Sequence, residues 1–159
     1  MEGLSIFKPS LTTINDKLDI LVLEAQHTTA LFPDDTDLTC TLTAAEAAHT
    51  WSSWIEIADS EATTLSSKFT SDGGHLSSCI VESVSEINTI YELEVSYGGD
   101  KTIISRQRFA GTTKFQNPSH QERFRGVHCP AGGTVYYRMK TATTNDDTAL
   151  VHFRYHTHT

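Results

Sequence analysis

The side chains best suited to chemistry stand at the end of this sequence, where Val151, Phe153 and Tyr155 alternate with His152, Arg154, His156 and His158. A period of two marks a half-buried β-strand. One face then packs into a core, and the other gathers three imidazoles and a guanidinium. His156 and His158 would lie about 7 Å apart on that face, with His152 two pleats earlier. Neutral imidazole is a ligand for zinc, nickel, copper or iron. One strand supplies at most two well-placed ligands, so a transition metal at His152, His156 and His158 needs groups from elsewhere or copies of the pair around a symmetry axis. A trimer would bring six nitrogens to such an axis. The same histidines also suit a solvated edge, where polar side chains discourage strand-to-strand aggregation.

Two further sets of residues have binding character. Arg106 and Arg108 share a strand face, as do Arg123 and Arg125 if that stretch is extended. Paired guanidiniums on a stiff sheet recognise carboxylates and form a candidate partner-binding site. Glu92 and Glu94 occupy the corresponding face of the same hairpin, so cross-strand ion pairs would account for these residues equally. Trp51 and Trp54 offer flat apolar faces that stack on a sugar, or that anchor a core or a subunit interface. The remaining histidines, His27, His49, His75, His120 and His128, show no metalloenzyme spacing. No Gly-x-Ser-x-Gly elbow occurs, and Gly98-Gly99-Asp100-Lys101-Thr102 lacks the spacing of a phosphate loop. The expectation is a protein without catalytic residues and without a bound cofactor, apart from the candidate metal.

The elements that must position these groups are strands. The 159 residues fit one domain with its own core, and 23 threonines and 15 serines, with twelve Tyr and Phe, favour pleated sheet over helix. No secretory leader and no run of about 20 apolar residues is present, so neither export by that route nor a membrane span is expected. Cys40, Cys79 and Cys129 form no close pair and read as reduced, buried thiols. Residues 1–100 hold 17 acids and 3 bases, whereas residues 101–159 hold 3 acids and 9 bases. The net charge of −8 argues against nucleic-acid binding. The unlike halves either pair within one subunit or orient neighbouring subunits head to tail.

Residues 1–15 read as an extended arm, and 16–159 as the domain. Residues 18–24 are a covered strand, and Leu38, Cys40 and Leu42 mark another. Thr43-Ala44-Ala45-Glu46 matches a capping box and predicts a short helix through Ala48, and residues 63–69 predict a weak strand. Residues 76–84 predict a strand. A hairpin spans 87–109 around Gly98-Gly99-Asp100, with Ile87, Tyr91, Leu93, Val95 and Tyr97 on one face. On its return limb Ile103 and Phe109 point one way, and Ile104, Arg106 and Arg108 the other. A second hairpin joins 135–140 to 149–158. Roughly eight to ten short strands predict an all-β, antiparallel, single-domain β-sandwich or jelly roll.

Three segments carry a family resemblance: Tyr91-Glu92-Leu93-Glu94-Val95-Ser96-Tyr97-Gly98-Gly99, Arg108-Phe109-Ala110-Gly111-Thr112, and Cys129-Pro130-Ala131-Gly132-Gly133-Thr134-Val135-Tyr136-Tyr137-Arg138. Together, over about residues 87–156, they resemble small β-domains of tailed-bacteriophage structural proteins, in which a Pro-Ala-Gly turn launches a tyrosine-arginine strand. The resemblance implies a virion accessory protein, a capsid decoration or cement protein on the shell surface. Its implied partners are the major capsid protein and other virion subunits, and its implied state is a homo-oligomer, a trimer most often. It brings no catalytic residues. A similar His-x-His holds iron at phage spike tips, but those tips follow β-helical repeats that this chain lacks. The alternative, from the residues alone, is a carbohydrate-binding β-sandwich module using Trp51 and Trp54.

Overall fold

A computed structural model describes residues 28–70, 72–111, 115–123 and 128–157, with 28–29 and 115–123 described by their backbone. Among these residues ten strands form two antiparallel sheets: β1 (Thr28–Phe32), β2 (Cys40–Thr43), β3 (Ile55–Glu56), β4 (Gly74–Val84), β5 (Thr89–Tyr97), β6 (Thr102–Gly111), β7 (Phe115–Arg123), β8 (His128–Cys129), β9 (Val135–Thr141) and β10 (Thr148–Thr157). The arm at 1–15 and the strand expected at 18–24 lie outside the described residues.

Two edge strands are interrupted. β1 pairs with residues 153–157 of β10 and β2 with residues 148–151, so the loop 33–39 leaves and rejoins a single edge. On the far side, β8 pairs with residues 74–75 of β4 and β7 with residues 78–83. Counting each interrupted edge once, the first sheet runs β1/β2, β10, β4, β7/β8 and the second runs β3, β9, β5, β6. First pairs with last, second with seventh, third with sixth and fourth with fifth, which is the strand order of a jelly roll.

Alternating side chains of both sheets meet in one core. Val151, Phe153 and Tyr155 of β10 are buried as their spacing predicts, in one cluster with Leu93 and Val95 of β5 and Met139 of β9. Tyr91 stacks on Phe109 with ring centroids 5.2 Å apart, and its hydroxyl donates to the Glu86 carbonyl at 2.9 Å.

Several local expectations give way to this packing. The strands at 135–140 and 149–158 are no hairpin: β9 pairs with β3 and β5, and β10 with β4, β1 and β2. Each has one apolar face, and crossing between sheets at 142–147 lets those faces meet across the core. Ile104 is buried and Ile103 is 42% exposed, the reverse of simple alternation, because the register shifts between Val95 and Ser96 and makes a bulge in β6. Ile87 sits exposed in the bend before β5. The weak strand at 63–69 is instead a 3-10 turn, Leu65–Lys68, that buries Leu65. The capping-box helix is absent: Ala44 N–H donates to the Asp147 carbonyl and His49 N–H to the Thr141 carbonyl, which hold this stretch against the crossover.

Candidate functional site

The outer face of the second sheet holds the residues of the expected partner site. Cross-strand register aligns Glu94 of β5 with Arg106 of β6 and Arg138 of β9, and aligns Glu92 with Arg108 and Lys140. Glu94 is completely buried. Arg106 donates to its Oε1 at 2.5 Å, and Arg138 to its Oε2 at 2.6 Å. Each carboxylate oxygen thus meets a different guanidinium, the arrangement that offsets the cost of burying a charge. Lys140 Nζ lies 2.8 Å from Glu92 and Arg108 Nε 3.8 Å from it. The Lys140 hydrogen bond holds the Glu92 carboxyl below the usual glutamate range, against the opposing effect of burial. Acids from the first hundred residues therefore pair with bases from the last sixty inside one subunit, as cross-strand pairing predicts.

Trp51 and Trp54 belong to this same face. Their segment is laced to β9: Ser52 N–H donates to the Met139 carbonyl at 3.0 Å, and Met139 N–H to Ser52 Oγ at 3.0 Å. That anchoring places the Arg138 guanidinium 4.8 Å from the Trp51 ring centre and 4.6 Å from that of Trp54, with Lys140 Nζ 4.7 Å from Trp51. Arg138 is thus held by a buried carboxylate and two indoles at once. The ring faces turned to Arg138 are closed to a sugar. Beside these rows His49, Ile90, Arg108 and Lys140 help line a small pocket of about 130 Å³.

The outer face of the first sheet carries the histidines. His152 and His156 share it with Arg154, as the alternation of β10 predicts, while His158 lies outside the described residues. His152 is turned to Glu82, with Nδ1 2.6 Å from Oε1. Glu82 reaches it because the register of β4 against β10 slips there, leaving Glu82 as the extra residue of a bulge. His156 is aligned instead with His75 of β4, which is aligned in turn with His128 of β8. The His75 and His128 rings lie 5.5 Å apart, edge to face. Three imidazoles thus form one row across three strands, and two of them escape sequence reasoning because strand register cannot be read from spacing. Among the described residues, no three His, Cys, Asp or Glu side chains converge closely enough to hold a metal.

Cys40, Cys79 and Cys129 are free thiols and all buried. Burial pushes Cys40 up to about 12 and Cys129 up to about 11, and raises Cys79 further. They belong to the core rather than to any reactive site. No family model, curated protein or solved structure matches this chain.

Proposed function

We propose that this chain is a non-enzymatic structural subunit of a viral particle, a capsid decoration protein that binds the shell surface and ties neighbouring subunits together. The observation that carries the reading is the buried Glu94 with its two guanidiniums and two indoles, which makes the outer sheet a stiff plate. A shell-binding subunit needs a rigid face that keeps its shape under load rather than a cleft that closes on substrate. The segments resembling phage virion domains lie on β5, β6, β8 and β9 and on the turns that begin at Gly98 and Pro130, so the likeness supports this reading through strands and turns of the jelly roll together. The partners of this reading are the major capsid protein and further copies of the chain, arranged as a trimer, and the place of action is the capsid surface.

The test is the composition of purified particles. Virions made with this chain should contain it at the stoichiometry of a shell component. Deleting residues 1–15 should strip it from the particles while the isolated protein keeps its β-sheet circular dichroism. Particles that never contain the chain would overturn the reading, and undiminished occupancy after the deletion would remove the arm from it.

A further inference from the structure

Among the described residues, the two lateral edges of the jelly roll carry opposite surplus charge. On one edge β6 presents Arg106 and Arg108, whose side chains are 66% and 67% exposed. Each shares its carboxylate with a second cation, so four positive groups face two negative ones and leave a surplus of two. Exposed Ile103 on the same strand and Ile90 on β5 add apolar surface. On the other edge, the loop between β1 and β2 exposes Asp35 and Asp37, and the neighbouring turn exposes Glu61. The two loops are joined there, Ser60 N–H donating to the Thr39 carbonyl at 2.8 Å and Thr39 N–H to Ser60 Oγ at 3.2 Å. Asp34 is already matched by Lys68 at 2.8 Å. Exposed Leu31 lies beside this acidic loop, along a groove of about 420 Å³.

Sheet order fixes where these edges stand. β6 ends the second sheet beside β7, whereas β1 and β2 end the first sheet on the side of β9 and β3. The basic edge therefore cannot reach the acidic edge of its own subunit. We propose that the Arg106/Arg108 edge of one copy docks against the Asp35/Asp37/Glu61 edge of a second copy, in a head-to-tail contact. A contact between two different patches repeats from copy to copy, and closes into a ring when the rotation allows. Exposed ion pairs are individually weak, so charge sets partner and orientation, while Ile90, Ile103 and Leu31 supply the apolar contact. The inference is independent of the capsid reading, since copies pair in this way whatever surface they decorate.

Sedimentation of the full chain tests it. The wild type should associate at low salt and dissociate at high salt. Asp37→Lys with Glu61→Lys should sediment as single copies, and so should Arg106→Glu with Arg108→Glu. Mixing the two variants should restore association, because each then offers what the other lacks. A wild type of single-copy mass at low salt would overturn the inference, as would an acidic-edge variant that associates like the wild type or a mixture that stays dissociated. Should the double arginine reversal fail to fold by circular dichroism, Arg106→Gln with Arg108→Gln takes its place. Association of that variant at wild-type strength would equally overturn the inference. Virion occupancy is read separately, so loss of association with retained particle binding leaves the capsid reading standing.

Discussion

Glu94 and Arg138 face each other on adjacent strands, the carboxylate wholly buried and the guanidinium 2.6 Å away beneath two indoles. Removing the carboxylate leaves Arg138 without its counter-charge in a half-buried setting, and breaking such a pair costs about 3–5 kcal/mol. Glu94→Gln should therefore lower the urea midpoint sharply. Arg106→Gln should cost less, because Arg106 is largely exposed and Glu94 keeps Arg138. Equal midpoints for Glu94→Gln and the wild type would show that this carboxylate does not hold the sheet.

Glu92 gives the fold an acid-sensitive component. Its folded carboxyl titrates below the ordinary 4.5, chiefly through the Lys140 hydrogen bond. A depressed carboxylate contributes stability that is complete above the unfolded value and is lost as pH falls through the folded one. The expected loss lies below about pH 4.5. Because both side chains are partly exposed, it amounts to no more than about 1 kcal/mol. Glu92→Gln should flatten that part of the stability profile, measured by urea unfolding between pH 3 and 6. An unchanged slope would assign the acid loss to other carboxylates.

Which parts of this architecture were legible in the sequence follows from the physics of each. Alternation along β5, β9 and β10 is a local property, so their buried faces and the pairing of Glu92 and Glu94 with Arg106 and Arg108 could be read directly. The hairpin 87–109 was legible because its glycine turn lies between its two limbs, and Gly98 adopts the positive φ of 75° that such a turn needs. Non-local choices were not legible. Nothing in residues 142–147 tells a crossover between sheets from a tight return within one. A bulge reveals itself only against its partner strand, which is why Ile103 and Ile104 exchanged faces. The meeting of His156 with His75 and His128 depends on register between segments some 50 to 80 residues apart in sequence, and contact over a comparable distance brings Trp51 and Trp54 to Arg138.

Gln107 is a polar side chain in an apolar place. It is 2% exposed on the core-facing side of β6, its Nε2 donating to Ser105 Oγ at 3.4 Å while Oε1 has no hydrogen-bond partner. A buried acceptor left unsatisfied costs about 1–3 kcal/mol. Gln107→Met keeps the volume and removes the amide, so it should raise the thermal midpoint or leave it unchanged. A loss of more than about 1 kcal/mol would mean that the amide is satisfied by a group such as water within the core.

The three thiols provide a direct reading of core integrity. Burial pushes Cys40 up to about 12 and Cys129 up to about 11 and raises Cys79 as well, and all three are buried. The thiolate is the reacting species, and both its scarcity at neutral pH and its burial suppress attack. Native protein at pH 8 should therefore leave an aromatic disulfide reagent unreacted over the time in which a free thiol is consumed. Unfolding in guanidinium chloride should release three equivalents per chain. Cys129, on the two-residue strand β8 at the edge of the first sheet, should be the first to react in mild denaturant, because β8 is held to β4 by a ladder of only two residue pairs. Rapid labelling of Cys40 or Cys79 in native protein would show instead that the core opens at the β2 to β4 side.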